Sequence, residues 1–291
     1  MNRTTVSIPT RVLVMGMAHE DGTIVAGELT TVAEACGQNP DQVRSCLRRL
    51  VSEGLFVRNG AGRHAVFSAT TAGLAALGAT VERTRLAYGQ DADGRGWDRQ
   101  WRLVGFAVPE GRRSARDSFR EALVSLGGAA IQGGLYVSPH PWHKDVIAEA
   151  HRLGVADRVT LATTESLDIS GERDPKDLAR RLWPVDDIAT EYQAFVDEYA
   201  SVPAALEVMR RRREKLGDEA FLPGALAMAV AFSSTFDHDP LLPPELLPRP
   251  WPGREARDLL VTCRRRALSI RTANGRAGLF RFYDIAVDSV F

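Results

Sequence analysis

The sequence predicts an α+β protein of three domains, and three observations carry that prediction. Residues 29–68, LTTVAEACGQNPDQVRSCLRRLVSEGLFVRNGAGRHAVFS, run as two short helices and then two strand-like stretches about a glycine turn. From Trp101 the pattern changes to strand, helix, two strands, helix and strand. Beyond about Asp177 it is mainly helical.

Each element follows from its local chemistry. Segment 7–22, SIPTRVLVMGMAHEDG, has the marks of a helix: Ser7 as N-cap, Pro9 in the first turn where a missing N–H costs nothing, and Gly22 at its close. A second helix covers 28–36 and a third 40–53, whose Val43, Cys46, Leu47, Leu50 and Val51 form an apolar stripe at helical spacing. LFVRN and RHAVFSA flank Gly60-Ala61-Gly62 as a hairpin. A fourth helix spans 71–87, and the polar, glycine-rich 89–98, GQDADGRGWD, is the best linker in the chain. Domains are therefore expected at 1–88, 97–171 and 172–291. In the middle domain WRLVGFAVP, AAIQGGLYVSP and RVTLATT supply strands around helices at 112–127 and in HKDVIAEAHRLG, the β-α-β-β-α-β order of a ferredoxin-like sandwich. In the last domain the proline-rich 237–253, DHDPLLPPELLPRPWPG, sits between helices as an ordered crossing or an extended surface segment, because proline fixes φ.

Composition narrows the function. The 291 residues are 44% hydrophobic and 25% charged, enough for domains each with its own core. No apolar run approaches the roughly 20 residues that span a bilayer, and no apolar stretch with a small-residue cleavage site opens the chain. A cytoplasmic protein without a membrane partner is expected. Cys36, Cys46 and Cys263 are too few and too scattered for a disulfide framework or a Cys-x-x-Cys metal site. Packed thiols are expected, with a thiol switch at Cys36 or Cys46 as the alternative. Lys+Arg and Asp+Glu both total 37, a formal charge of zero, so any affinity for nucleic acid has to be local.

Such a local feature lies in the first domain. A helix-turn-helix needs a small residue where the second helix crosses the first, glycine at the turn and an aliphatic residue packing back. Ala33, Gly37 and Val43 fall in that order and at that spacing, with Val32, Cys36, Cys46 and Leu47 as further inward positions. The preceding helix and following hairpin make the pattern that of a winged helix-turn-helix. The outward face of the second helix carries Asn39, Asp41, Gln42, Arg44, Ser45, Arg48 and Arg49. Asn39, Gln42, Arg44 and Ser45 suit base edges in the major groove, since amide and guanidinium groups form paired hydrogen bonds to adenine and guanine. Arg48, Arg49, Arg58, Arg63 and His64 suit phosphates. Between 41 and 63 five arginines stand against Asp41 and Glu53. The alternative is a winged-helix protein-interaction module without sequence-specific DNA binding, its arginines merely solvated.

The run from Trp101 through VPEGRRSARDSFREALVSLG to GGLYVSP, with the Asp-Pro-x-Leu-Pro and Leu-Leu-Pro-x-x-Trp-Pro-Gly motifs at 239–253, resembles the PaaX family of bacterial transcriptional repressors over nearly the whole chain. The resemblance implies a winged N-terminal domain, a Cas2-like ferredoxin fold and a helical C-terminal effector and dimerisation domain. It implies a homodimer on palindromic double-stranded operator DNA, repressing a catabolic operon and released by an aryl-CoA thioester such as phenylacetyl-CoA. One helix departs from the pattern: 221–236, FLPGALAMAVAFSSTF, is almost wholly apolar where the family carries arginine and histidine, which points to a different effector if those groups hold a CoA phosphate. An effector site would draw on Trp183, Tyr192 and Trp251 for an acyl group and on Arg210, Arg211 and Arg213 for phosphates. Buried aromatic core and a solvated helix face are the plainer readings of these residues.

No catalytic or metal-binding residue is expected. Gly-x-Ser-x-Gly, P-loop and Gly-x-Gly-x-x-Gly motifs are absent from the sequence. His140, His143 and His151 lack a cysteine or acidic ligand at a familiar zinc spacing. A Cas2-like metal-dependent nuclease, the remaining enzymatic alternative, would need an aspartate near the end of WRLVGFAVP, where the first acid is Glu110.

Overall fold

The computed structural model describes residues 9–272 and 278–282. Its packing divides the chain into two compact units, one of residues 1–89, 194–234 and 254–291, the other of 90–193 and 235–253. The C-terminal 120 or so residues, contiguous in sequence, thus contribute to both.

In the first unit α1 (Thr10–Gly16), β1 (Thr23–Val25), α2 (Ala26–Ala35), α3 (Pro40–Ser52), β2 (Phe56–Asn59), β3 (Val66–Ala69) and α4 (Thr71–Asp93) follow one another. The first helix is shorter than the sequence predicts. Its expected cap, Ser7, lies outside the described residues, and the chain leaves the helix after Gly16, turns at Gly22 and forms β1. That strand was not anticipated, because its backbone partners are on β3, some 40 residues away: Thr23, Ile24 and Val25 face Ser68, Phe67 and Val66. The three-stranded antiparallel sheet has the order β1-β3-β2. Helix α4 continues to Asp93, so the expected linker narrows to the residues after it.

The helix pair is built as its residues dictate. Gly37 at φ 66° takes the left-handed position that closes α2, with Gln38 N–H donating to Ala33 O at 2.8 Å and Gly37 N–H to Glu34 O at 3.0 Å. Asn39 then caps α3, its Oδ1 accepting from Asp41 N–H at 2.8 Å, and Pro40 takes the first helical position. Ala33, Val43, Cys46, Leu47 and Leu50 are buried in one core with Leu13, Val14, Ile24 and Phe67. Val51, expected in the apolar stripe, is instead at the exposed margin of the helix.

This core also takes in Phe221, Leu222, Leu226 and Val230 from α10 (Asp218–Phe236). Among the described residues α10 is the one helix long and apolar enough by composition to cross a membrane. Its apolar side chains serve packing, which gives the 221–236 stretch a reason independent of any effector. The C-terminal half also contains α7 (Pro175–Leu182), α8 (Val185–Tyr199), α9 (Val202–Arg211) and α11 (Pro252–Ile270) among the described residues.

The second unit contains β4 (Trp101–Phe106), α5 (Arg113–Ser125), β5 (Ala129–Gln132), β6 (Leu135–Ser138), α6 (His143–Arg152) and β7 (Val159–Thr164). The sheet is antiparallel in the order β5-β6-β4-β7. Alternation along β4 separates two cores. Val104 packs with Phe119 and Leu123 of α5 and Val146 of α6, whereas Trp101 packs with Leu178 and Ala179 of α7 and with Leu242, Leu246 and Leu247. The proline-rich signature is therefore a cover for the second face of this sheet.

Candidate nucleic-acid interface

All ten residues proposed to meet DNA are exposed: Asn39, Asp41, Gln42, Arg44, Ser45, Arg48, Arg49, Arg58, Arg63 and His64. On α3 this follows from the helical period, since burial of Val43, Cys46, Leu47 and Leu50 turns every intervening polar residue outward. The hairpin supplies the rest. Its tip is a short 3-10 turn at Gly62–His64 that folds against α2, where a Cβ on Gly27 would stand 2.9 Å from Arg63 O. Ala26 N–H donates to Ala65 O at 2.9 Å, fixing the hairpin base beside α2.

The charges on this surface are unevenly balanced. Asp41 pairs with Arg44, and Glu53 with Arg11 at 2.8 Å and Arg49 at 3.8 Å. Arg63 Nε lies 3.3 Å from His64 Nε2. Among the described residues Arg48 and Arg58 have no acidic partner within ion-pair distance. The Asn39 oxygen is occupied by the cap, which leaves its amide N–H groups outward.

The thiols do not suit a redox switch. Burial pushes Cys36 up to about 11, and raises Cys46 as well despite a hydrogen bond from Arg49. Both stay protonated near neutral pH, and the thiolate is the form that oxidises or exchanges.

The residues considered for an effector fall into two groups. Trp183, Tyr192 and Trp251 belong to the second unit. Trp183 and Tyr192 are buried; Trp183 Nε1 donates to Gly127 O at 3.2 Å and Tyr192 Oη to Asp239 Oδ2 at 2.8 Å. Trp251 meets Tyr192 edge-on at 6.0 Å. Arg210, Arg211 and Arg213 belong to the first unit and are exposed. The signature motif has a structural part in the second unit: Asp239 Oδ1 accepts from Leu241 N–H at 2.8 Å, Pro240 O meets the His140 ring at 3.0 Å, and the Glu245 carboxylate accepts from Gly96 N–H at 3.1 Å. A shallow cavity of about 360 Å³ lies between the end of β4 and α5, lined by Phe106, Val108, Arg116 and Arg120. Arg116 there is held by Glu110 at 2.7 Å and Asp117 at 3.4 Å. No cluster of three metal-ligating side chains occurs among the described residues.

Sequence reasoning missed His19, Glu28 and Arg281, which meet in the first unit. With Glu28 and Arg281 separated by 253 positions in sequence, no local pattern could have joined them.

Comparison with known proteins completes the picture. Residues 94–179 match the PaaX protein central Cas2-like domain and 183–273 the PaaX-like protein C-terminal domain. The chain is 26% identical over 248 residues to the transcriptional repressor PaaX of Escherichia coli (strain K12), a match covering 84% of this chain and 74% of that protein. The uncharacterized protein Rv0674 from Mycobacterium tuberculosis superposes with a TM-score of 0.50 at 21% identity, covering 84% of this chain and 91% of its own, a likeness of fold alone. Two family domains matched in succession, and a relative that is a transcriptional repressor, place this chain in the PaaX family of transcriptional repressors.

Proposed function

We propose that the chain is a ligand-responsive repressor whose first 88 residues form a winged helix-turn-helix reading double-stranded operator DNA. In this reading α3 is the recognition helix. The observation that carries it is the division of α3 into a buried apolar face and an outward face of amide, hydroxyl and guanidinium groups, continued by Arg58 on the hairpin. Asn39, Gln42, Arg44 and Ser45 meet base edges, while Arg48, Arg49, Arg58, Arg63 and His64 meet phosphates. The strand order of the second unit supports a ferredoxin-like middle domain.

The protein acts as a homodimer on a palindromic site, because a two-fold pair of recognition helices reads two successive major grooves. An aryl-CoA or related thioester releases it by favouring an arrangement whose half-site spacing no longer fits. Fluorescence anisotropy on the DNA upstream of its own gene, against a scrambled duplex of equal length and across a salt series, tests the reading. Tight binding to the upstream duplex alone, loosened by one member of a panel of aryl- and acyl-CoA thioesters, is the expected result. Equal, weak and steeply salt-dependent binding to both duplexes, at this and at other promoters, would leave only phosphate contact and overturn it.

A further inference from the structure

The first unit contains a contact that neither the helix pair nor the hairpin requires. Residues 278–282 lie against α1 and α2. Phe280 N–H donates to the carbonyl of Gly16, the last residue of α1. Its ring occupies the space beside that glycine: a Cβ on Gly16 would stand 2.6 Å from the ring Cε1, so no larger residue fits without displacing the phenyl group. Leu279 is buried in the same core as Leu13, Val32 and Val43.

The neighbouring Arg281 reaches α2. Its Nη2 donates to Glu28 Oε2 at 2.8 Å and lies 3.2 Å from His19 Nε2, which is 2.9 Å from the same carboxylate oxygen. Arg281 Nε turns back to Gly278 O at 3.2 Å, which holds the guanidinium in place. From the opposite side, Arg264 of α11 donates to Leu279 O at 3.2 Å. Five residues are thus tied to α1 through the backbone, to α2 through an ion pair and to α11 through an arginine. Phe280 is at φ 65°, a left-handed conformation that a bulky side chain keeps only where its surroundings hold it there.

We propose that residues 278–282 form a strap that sets the pose of α2 and, through the buried core that Ala33 and Val43 share with Leu279, of α3, with Arg281 as a positioning residue for DNA binding. Helix α2 has no side-chain cap at its N-terminus, and the tether at Glu28 in its first turn joins the Ala26 N–H to Ala65 O bond in holding that end from outside. The strap joins α11 to the recognition helix by a chain of named contacts, and its release would loosen α3 without unfolding the unit. The inference rests on the DNA-binding reading above.

Charge and positioning make opposite predictions for one variant, which gives the test its force. Removing the Glu28 carboxylate by Glu28→Gln takes a negative charge from the DNA-binding unit, so electrostatics alone would raise affinity for any duplex. The strap predicts a fall instead. In the full-length protein, Arg281→Gln and Glu28→Gln should each weaken binding to the upstream duplex about three- to tenfold, and the double variant should be no worse than the weaker single one. Affinity for the scrambled duplex should stay within about twofold, and Arg281→Lys should recover part of the loss. Unchanged specific affinity in Glu28→Gln, or a rise, overturns the strap, as does an equal loss on both duplexes in Arg281→Gln. A wild-type protein that fails to distinguish the two duplexes sinks the DNA-binding reading, and the strap's role falls with it.

Discussion

Two arginine-rich surfaces of this chain differ in what surrounds their charge. On α3 and the hairpin, acidic groups engage only part of the set, and Arg48 and Arg58 stand clear of Asp41 and Glu53. At the end of α9 the arginines are denser and more of them are engaged: Arg210 and Arg211 share Glu207, at 2.7 and 3.1 Å, and Arg212 lies 3.8 Å from Glu214, while Arg213 has no acidic partner within ion-pair distance among the described residues. Hydrogen bonds from Arg210 and then Arg211 hold the Glu207 carboxyl down at about 2. A guanidinium already paired has less to offer an incoming phosphate, so a count of arginines is a poor guide to where an anion binds. What counts is how many remain uncompensated on a shaped surface.

The sharpest way to break this comparison is on α3. Replacing Arg44 and Arg48 together by alanine should cost roughly a hundredfold in affinity for the upstream duplex, read by anisotropy, since each direct contact is worth about 1–3 kcal/mol. Specific binding that survives the double change would remove α3 as the recognition helix. Arg48→Ala alone should weaken specific and non-specific binding alike and lower the slope of log affinity against log salt by about 1. A slope that does not move would remove Arg48 from the phosphate contacts.

Asn39→Ala should lower stability by about 1 kcal/mol in a thermal melt through loss of the α3 cap. Any larger drop in DNA affinity than in stability would locate a second role in its outward amide. On α9 the expectation is nearly nothing. Arg210→Ala with Arg211→Ala should change DNA affinity by less than about twofold, because both groups are engaged by Glu207. Glu207→Gln should free both arginines and raise non-specific binding by about the same factor.

The pH dependence of the α9 pair has a definite sign. The folded-state value of Glu207 lies below the ordinary 4.5, so its contribution to stability is present above about 4.5 and lost as pH falls toward about 2. The side chain is half-buried and its arginine partners are exposed, so the effect should be small. An NMR titration in which Glu207 protonates near 4.5 would show that the pairing does not persist in solution.

Much of the fold was legible because it is written in local spacing. The Ala33, Gly37 and Val43 triplet placed the helix pair, and the stripe on α3 fixed which residues face out. Alternation in WRLVGF, AAIQ, LYVS and VTLATT located the four strands of the second unit. The misplaced features share one cause: their partners are distant in sequence. Strand β1 exists because β3 supplies its hydrogen bonds, and α1 is short because the chain must turn to reach that edge. The proline-rich signature was legible as a motif, but not as a cover for the face of a sheet formed a hundred residues earlier.

The sequence by itself therefore determined most of the elements, the outward basic face of α3 and the family, since each rests on residues within one or two turns of one another or on a contiguous motif. Tertiary structure alone decided which charges remain uncompensated, that α10 is apolar because it enters the core of the first unit, and that Arg281 meets Glu28. Those are outcomes of long-range packing, in which one side chain's partners are chosen by the path of the whole backbone and leave no periodic trace in the sequence.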